Sequence, residues 1–388
     1  MISSLPLYAG IRKLKEYNSV EEIDANILSG LQFDSEMLRQ KGIYIFGVGK
    51  LGQKIQKFLV HNGIPVLGFV DNNKSLHGKN QNDIKVFDPS ILTSDSIVYI
   101  ASETYLNPIQ KQLKALGVSG MLSHFQGSIF FKAYKDFPVD VYLQNLTEDL
   151  IDNKEKYVET FGLMKDEASK IVFDNLILYR LTGDLGHIDK IATASELEYF
   201  DETVIRLGSS EVFFDCGGFD GDSAQNFLNF CGNKFKSIHI FEPDKKLLEK
   251  AKAKLAQHQN IFYNELGIFN QTTTLTFDTT GGWDGAISAH GNSTIKTIAL
   301  DEYETGIVPT YIKLDIEGVE IEALAGAQNT IKRNRPKLAI ASYHFPRHLW
   351  EVPLSVLKLN PEYDLFIRHY TNYLLGSTCY FLPAGPTS

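Results

Sequence analysis

Along much of the chain, short apolar runs alternate with stretches in which apolar residues recur at the spacing of a helix. This alternation predicts an α/β protein. In the amino-terminal region the apolar runs predict a small parallel sheet that closes near residue 125. The predicted elements there are a helix at Val20–Leu28, a strand, glycine turn and helix from Gly42 to Leu59, a strand at Pro65–Asp71, a strand at Ser96–Ala101 and a helix at Pro108–Leu116.

In the middle of the chain, from Asp140 to about Leu207, the hydrophobic residues recur at the spacing of a helix. Hydrophobic residues at this spacing predict helices with a buried face. We therefore predict a helical connector over residues 126–207. Its predicted buried positions are Ile171, Phe173, Leu176, Ile177 and Tyr179–Leu181.

From Glu211 onward, strands and helices alternate again and predict a second doubly wound sheet that ends in an antiparallel pair. The fold class is therefore α/β, with two Rossmann-like doubly wound domains at residues 1–125 and 208–388 joined by the connector. The predicted strands are Val212–Phe214, Ser237–Phe241, Ile261–Asn264, Thr273–Phe277, Thr310–Leu314, Lys337–Ser342, Tyr363–His369 and Ser377–Leu382, and the predicted helices are Ala224–Phe230, Lys245–Leu255 and Val319–Ala325.

The composition is that of a globular protein able to build sizeable cores, with 43% hydrophobic residues in a chain of 388. A formal net charge of −9 gives no electrostatic reason to expect binding to nucleic acid or to anionic membranes. Three cysteines are too few for a disulfide framework or a zinc cluster. Neither a secretory leader nor a membrane-spanning apolar run is recognisable. We expect a cytoplasmic protein without nucleic-acid or membrane partners.

A first glycine motif lies between a predicted strand and helix. Gly47, Gly49 and Gly52 match the pattern GxGxxG, and Asp71 ends the next strand 24 residues beyond Gly47. In one interpretation the helix amino terminus near Lys50 holds phosphates while Asp71 takes a ribose or sugar hydroxyl. In the other, the glycines serve only the turn. The motif alone leaves both interpretations open.

The same region resembles the amino-terminal Rossmann-like domains of bacterial sugar-modifying proteins. The run Gly68–Asn73 matches their second strand. The resemblance covers only about 80 residues and implies a nucleotide or nucleotide-sugar ligand, although similar units also bind nicotinamide cofactors.

A second glycine motif follows the strand at residue 212. Asp215 precedes Gly217, Gly218 and Gly221, and Glu242 ends the next strand 27 residues after Asp215. This interval is close to the one at which a doubly wound fold presents a carboxylate to ribose hydroxyls. An acid at the start of the loop disfavours a pyrophosphate and suits the cationic groups of S-adenosylmethionine.

Several separate motifs between residues 195 and 375 match a known family. They are Glu198–Asp201, the glycine motif with Asp215, Gly217 and Gly221, Glu242, Tyr311–Glu320, Ser342–Pro346 and Trp350–Pro353. With them the segment resembles the FkbM-type methyltransferases, which act on oxygen atoms of sugars and natural products. The resemblance implies a class I methyltransferase fold, S-adenosylmethionine as cofactor, and methyl transfer to a hydroxyl of a sugar, glycan or natural-product acceptor.

Candidate catalytic residues follow two of the later strands. Asp315 and Glu317 stand at the carboxyl end of a predicted strand, where open α/β sheets bind ligands, and we count both as cofactor-site residues. His344 follows the next strand, so His344 or Asp315 is predicted to remove the proton of the acceptor hydroxyl. A structural role for His344 is the alternative. Glu320 is interpreted as a first-turn helix charge.

A divalent cation is a less favoured interpretation of the same residues. Asp315, Glu317 and His344 offer carboxylates and an imidazole, which are suitable ligands. We favour direct acid and base roles and predict no metal site. The glycine-rich segment 280–288, with Asp284 and Ser288, is a candidate substrate contact or lid.

Two other functions remain as alternatives. One is an NAD(P)-dependent oxidoreductase using Gly47, Gly49, Gly52 and Asp71, although no Tyr-x-x-x-Lys pair follows the first domain on a predicted helix. The other is a non-catalytic protein that binds a nucleotide-sugar.

Overall fold

The structure is a computed structural model that describes residues 8–277, 293–303 and 306–384. It has mixed α/β architecture in two compact units. The first holds residues up to 154 with 175–190 and 372–374, and the second holds 155–174, 191–371 and 375 onward. The described helices are α1 Ala9–Glu16, α2 Val20–Leu28, α3 Ser35–Lys41, α4 Lys50–His61, α5 Leu106–Ala115, α6 His124–Phe130, α7 Leu146–Asp152, α8 Lys154–Leu163, α9 Glu167–Thr182, α10 Gly186–Asp189, α11 Asp222–Phe230, α12 Lys245–Lys254, α13 Glu320–Ala325, α14 Gln328–Asn334 and α15 His348–Leu359.

The strands form three sheets. They are β1 Ile43–Phe46, β2 Val66–Val70, β3 Asn80–Gln81, β4 Ile84–Phe87, β5 Ile97–Ile100, β6 Gly120–Ser123, β7 Val212–Cys216, β8 Ser237–Phe241, β9 Ile261–Asn264, β10 Gly267–Ile268, β11 Thr273–Phe277, β12 Ser293–Ile298, β13 Tyr311–Leu314, β14 Lys337–Ala341, β15 Tyr363–His369 and β16 Ser377–Pro383.

The first unit is built on a six-stranded sheet with the order β3-β4-β2-β1-β5-β6. All neighbouring pairs are parallel except β3 with β4. The chain winds outward from β1 in one direction through β2 and β4 and in the other through β5 and β6, so the topological switch point lies between β1 and β5. All four residues of β5 are buried, as a parallel strand covered on both faces requires.

The second unit contains a seven-stranded sheet with the order β15-β16-β14-β13-β7-β8-β9. Strands β9, β8, β7, β13 and β14 run parallel to one another. Strand β16 is antiparallel to both of its neighbours, β14 and β15. The predicted closing antiparallel pair is therefore confirmed. The switch point lies between β7 and β13, so ligands are expected at the carboxyl ends of these two strands. A separate three-stranded sheet, β10-β12-β11, follows β9 along the chain.

Stacked aromatic rings hold the centre of the second sheet against its helices. The ring of Phe213 in β7 stacks on Phe227 of α11 at 4.6 Å and on Tyr311 of β13 at 5.0 Å. Phe200 packs edge-on against both Phe213 and Tyr311. Pairs of this kind contribute about 0.5–1.5 kcal/mol each beyond the area they bury. They fix the strands whose ends carry the candidate site residues.

The residues predicted as a connector, 126–207, are divided between the two units. Most of the positions predicted to be buried there are buried, but Ile171 is 45% exposed, so that prediction is wrong. The reason is helical phase, because Ile171 lies four residues after the exposed Glu167 on the same face of α9, whereas Phe173 and Ile177 lie on the buried face.

Candidate active site

A cleft of about 700 Å³ opens at the carboxyl ends of the central strands of the second sheet. Gly217 follows β7, Glu242 follows β8 and Asp315 follows β13, and all three line it together with Glu317. The predicted cofactor residues Asp215, Gly218 and Gly221 do not line the cleft. Its remaining lining residues are Ser195, Glu198, Tyr199, Phe219, Asp222, Ser223, Asn226, Phe241, Pro243, Asp244, Lys245, Lys246, Glu265, Gly267, Ile268, Thr294, Ile295, Thr297, Lys313, Ile316 and Val319.

Glu242 joins two loops at the cleft wall. One carboxylate oxygen accepts a hydrogen bond from the backbone N–H of Phe219 at 3.0 Å, and the other accepts one from Asp244 at 2.8 Å. Burial raises the pKa of Glu242 to about 7, although these two backbone donors oppose the rise. Each carboxylate oxygen can accept a further hydrogen bond, so Glu242 can still receive ligand hydroxyls.

Asp215 lies beneath the cleft and is fully buried. Its carboxylate accepts hydrogen bonds from Lys313 Nζ at 3.1 Å and from Ser223 Oγ at 2.6 Å. Burial raises the pKa of Asp215, and the Lys313 ammonium group opposes that rise. Asp215 thus contacts Lys313 and Ser223, two residues that do line the cleft.

Lys313 was missed by the sequence reasoning. Its Nζ also donates to the carbonyl oxygen of Gly217 at 2.7 Å, and it lies 5.2 Å from the ring centroid of Tyr199. A signal was present, since a lysine within the apolar strand Tyr311–Leu314 needs a buried acid as partner. That partner, Asp215, faces Lys313 in the parallel register of β7 and β13.

Gly217 allows the close approach of two strand ends. Its φ is +84°, and a Cβ added there would lie 1.8 Å from the carbonyl oxygen of Asp315. A Cβ at Gly218 would lie 2.3 Å from Ile240 Cγ2, and Gly221 is the N-cap of α11. These glycines are therefore required first by the packing of the loop, and only Gly217 among them reaches the cleft.

Asp315 is held by two tyrosines. Tyr199 Oη donates to one carboxylate oxygen at 2.7 Å, and Tyr343 Oη donates to the other at 3.2 Å. His344 Nε2 lies 3.4 Å from the oxygen that Tyr343 contacts. The His344 side chain is only 10% exposed and does not line the cleft. Asp315 is thus the member of this pair that can touch a ligand directly.

Glu320 stands in the first turn of α13, as predicted, and is fully buried there. One carboxylate oxygen accepts the backbone N–H of Ile316 at 3.0 Å and lies 3.0 Å from His344 Nδ1. The other oxygen lies 3.4 Å from His348 Nδ1. Burial would raise the pKa of Glu320, but His344, His348 and the backbone donor together lower it to about 2.

The charge of Glu320 acts in turn on His344. Burial lowers the pKa of His344, but Glu320, Glu317 and Asp315 outweigh that effect and raise it well above its ordinary value. His344 Nε2 lies 3.5 Å from Glu317 Oε2. The three residues predicted as a less favoured metal set, Asp315, Glu317 and His344, are therefore neighbours. A tighter group of metal-ligating atoms within the described residues is formed by Glu320, His344 and His348.

Glu198 is a further acid at the cleft that the sequence reasoning did not single out. Its carboxylate accepts a hydrogen bond from Thr378 Oγ1 at 3.0 Å. Burial and the negative charge of Asp315 raise the pKa of Glu198 to about 7. Its place within the motif Glu198–Asp201 was the available signal. The predicted candidates Asp284 and Ser288 lie outside the described residues.

The glycine motif of the first unit forms a tight turn before α4. A Cβ at Gly52 would lie 2.0 Å from the carbonyl oxygen of Gly47, so Gly52 is required by the turn. Gly49 is the N-cap of α4. The Asp71 carboxylate accepts the backbone N–H of Val48 at 3.3 Å, while its other oxygen accepts that of Asn73 at 2.8 Å. Asp71 thus binds the glycine loop directly.

Two regions of the chain match known family models. Residues 215–373 match the family model of the methyltransferase FkbM domain, and residues 39–121 match the family model named C2185-like, N-terminal. The first match supports a methyltransferase. No curated protein matches the chain. In the described residues, none of the helices is both long and apolar enough to span a membrane.

The fold is shared with a solved structure. The crystal structure of methyltransferase FkbM from Methylobacillus flagellatus KT aligns with a TM-score of 0.77 over 96% of this chain and 99% of that one, at 20% identity. A SAM-dependent methyltransferase from Aquifex aeolicus aligns over 52% of this chain and 99% of that one, with a TM-score of 0.30 at 16% identity. Aeropyrum pernix fibrillarin with natively bound S-adenosyl-L-methionine aligns over 47% of this chain and 71% of that one, with a TM-score of 0.31 at 11% identity.

Proposed function

We propose that the protein is an S-adenosylmethionine-dependent O-methyltransferase that methylates a hydroxyl of a sugar, glycan or natural-product acceptor. The observation that carries the proposal is the cleft at the switch point of the second sheet, where Gly217, Glu242 and Asp315 follow three neighbouring strands. Most of the residues that line the cleft lie in the region that matches the methyltransferase FkbM domain.

The charges of the cleft suit this cofactor. Seven carboxylate residues line it against three lysines. A pyrophosphate would meet mainly negative charge, whereas the sulfonium and ammonium groups of S-adenosylmethionine would be attracted. Glu242 would accept the ribose hydroxyls, because it stands at the end of the second strand of the sheet as in other doubly wound folds. The acids that favour the cofactor are thus those lining the cleft, rather than Asp215.

When bound, S-adenosylmethionine would supply the methyl group, which the acceptor oxygen would take as the carbon–sulfur bond breaks and its electron pair stays on sulfur. The acceptor proton passes to the Asp315 carboxylate. Tyr199 and Tyr343 hold that carboxylate in place, and His344 behind it acts as a positioning residue. Alignment supplies most of the acceleration, since well-oriented reactants gain effective molarities of roughly 10⁵ M or more.

Isothermal titration of the full chain tests the proposal against its alternatives. Binding of S-adenosylmethionine in the micromolar range supports it, with affinity weakened by Glu242→Ala and retained by the control Glu249→Ala on the exposed face of α12. Binding of NAD(P) or of nucleotide-sugars without S-adenosylmethionine would instead favour an oxidoreductase or a non-catalytic binding protein.

The proton acceptor is tested by Asp315→Asn. Labelled S-adenosylmethionine is incubated with a panel of carbohydrate and natural-product hydroxyl acceptors, and methyl transfer is counted. We expect a loss of about 10²- to 10⁴-fold in the rate, typical of a removed general base, with cofactor affinity nearly unchanged. Full turnover by Asp315→Asn would exclude Asp315 as the base.

A further inference from the structure

Three metal-ligating side chains from separate elements meet behind the floor of the cleft. Glu320 begins α13, His344 follows β14 and His348 begins α15. One potential ligand atom from each lies within 4.8 Å of those of the other two. Glu320 and His348 are fully buried and His344 is nearly so. Glu320 lies more than twenty residues before both histidines, so the fold alone brings the group together.

Four buried polar atoms of this group lack a hydrogen-bond partner. His344 Nδ1, both ring nitrogens of His348 and Glu320 Oε2 are buried without one. His344 Nδ1 also lies 3.0 Å from Glu320 Oε1. A buried polar group left without a hydrogen-bond partner destabilises the fold. A cation between these atoms would satisfy them together.

The second nitrogen of His344 has the surroundings typical of a metal-bound histidine. Metal-ligating imidazoles almost always direct their other ring N–H at a carboxylate or carbonyl. His344 Nε2 lies 3.4 Å from Asp315 Oδ1 and 3.5 Å from Glu317 Oε2. Either contact would fix the tautomer in which Nδ1 carries the lone pair toward Glu320 and His348.

We propose that Glu320, His344 and His348 bind a divalent transition-metal ion of the Zn²⁺ type. The 3.4 Å between Glu320 Oε2 and His348 Nδ1 fits two ligands bonded at about 2.0–2.2 Å to one tetrahedral ion, and His344 Nδ1 lies 3.0 Å from the other oxygen of the same carboxylate. Two imidazoles favour Zn²⁺ and similar metals over Mg²⁺ and Ca²⁺, which prefer oxygen ligands. Metal binding itself does not depend on the proposed methyl transfer.

Such an ion would hold His344 in a fixed orientation and would not contact the substrate. The three ligands do not line the cleft, whereas Asp315, next to His344, does. A fixed His344 holds Asp315 in position for its proposed role. The inference differs from the set Asp315, Glu317 and His344 considered from the sequence, because Asp315 and Glu317 here contact the bound histidine instead of the metal.

Refolding tests the site, because buried ligands bind metal as the chain folds. The full chain is unfolded in urea with a chelator, refolded with Zn²⁺ or Co²⁺ alone, desalted and analysed for metal content and visible absorption. We expect about one ion per chain and the intense absorption of tetrahedral Co²⁺. His348→Gln and Glu320→Gln should lose the ion, while the exposed control His61→Gln retains it. Glu317→Gln should weaken affinity by roughly ten- to a hundredfold.

Two results would overturn the site. One is wild-type protein that refolds to the same thermal stability with and without metal and retains no ion. The other is Co²⁺ absorption that is unchanged in His348→Gln. If a ligand variant does not fold, the metal content and Co²⁺ spectrum of the wild type decide the question, and neither readout requires methyl transfer.

Discussion

One buried lysine connects the strand that carries Asp315 to the glycine loop beside it. Lys313 Nζ contacts both Asp215 and the Gly217 carbonyl, and the Lys313 and Asp215 side chains are 3% and 0% exposed. A buried ion pair adds little to the free energy of unfolding compared with a well-packed apolar pair. Removing one partner, however, leaves the other charge buried without a counter-ion. Lys313 is therefore required for stability as well as for the shape of the cleft.

We expect Lys313→Met to lower the free energy of unfolding by about 3–5 kcal/mol, measured by urea denaturation. Lys254→Met is the matched control, because Lys254 forms an ion pair with Asp220 in which both side chains are about one third exposed; it should cost at most about 1 kcal/mol. Adding Asp215→Asn to Lys313→Met should recover part of the loss. Equal effects of the two lysine substitutions would contradict the role given to burial.

Glu242 gives cofactor binding a pH dependence. Its pKa is about 7 in the free protein, so the carboxyl is protonated below that pH and charged above it. Ribose hydroxyls donate to the charged form, which means that cofactor binding releases a proton where the free carboxyl is protonated. Affinity should therefore rise with pH below 7, by at most about tenfold per unit, and level off above it.

Titration calorimetry with S-adenosylmethionine across this range measures the effect. Glu242→Gln is the control, because its amide carries no charge at any pH. The difference between wild type and variant isolates Glu242 from the titration of the ligand. A wild-type affinity that does not change from pH 6 to 8 would show that Glu242 does not contact the ribose.

Residues whose role depends on distant partners are the ones that the sequence predicted poorly. Glu242 and Asp315 line the cleft, because each follows a strand whose carboxyl end lies at the same edge of the sheet. Glu320 was predicted as a first-turn helix charge, and it stands in the first turn of α13, but its two histidine neighbours were not predicted. Its burial depends on His344 and His348, which only the folded chain brings to it.

At the scale of elements, the loop after β7 is fitted to the end of β13. Gly217 and Gly232 both have positive φ, at +84° and +58°, so an alanine at either costs about 1–2 kcal/mol in backbone conformation. A Cβ at Gly217 also meets the Asp315 carbonyl at 1.8 Å, whereas nothing lies within 4 Å of one at Gly232.

We expect Gly217→Ala to destabilise the protein by about 1–3 kcal/mol more than Gly232→Ala, from overpacking alone. Urea denaturation of both variants measures the difference. Gly217→Ala should also weaken binding of S-adenosylmethionine, since the loop wall of the cleft must move. Two variants of equal stability would mean that the strand ends can separate at no cost.

Elements with an uninterrupted apolar run were predicted best. Strand β8 has its predicted bounds because all five of its residues are buried in a parallel sheet. Helix α15 was missed, since Pro353 lies inside it and proline indicates a helix end. Strand β12, Ser293–Ile298, was also missed. Its polar residues and lysine lack a continuous apolar run, and its register is set by pairing with β11.

At the scale of the whole molecule, the two parallel sheets offer two switch points, and the proposal assigns the cofactor to one of them. A ligand at one hundred times its dissociation constant stabilises the state that binds it by about 2.7 kcal/mol. We expect S-adenosylmethionine to slow amide hydrogen exchange around β7, β8 and β13 and to leave the turn after β1 unchanged. Protection confined to residues 47–52 would contradict this assignment.

The order of the strands could be predicted only in part. The apolar pattern indicated two parallel sheets, and the sheets are present. The small sheet β10-β12-β11 and the division of residues 126–207 between the units depend on contacts between distant segments, which a local pattern does not contain.

The discontinuous second unit has a consequence for synthesis on the ribosome. Residues 155–174 belong to that unit, and Ser169 Oγ accepts its hydrogen bond from Ile367, 198 residues later. Asp166 likewise forms its ion pair, at 2.7 Å, with Arg368, which is synthesised much later. At roughly 5–20 residues per second, this segment emerges about 10–40 s before β15 does. Until β15 has been synthesised, Asp166 and Ser169 lack these partners, so the segment completes its native contacts only after most of the chain has been made.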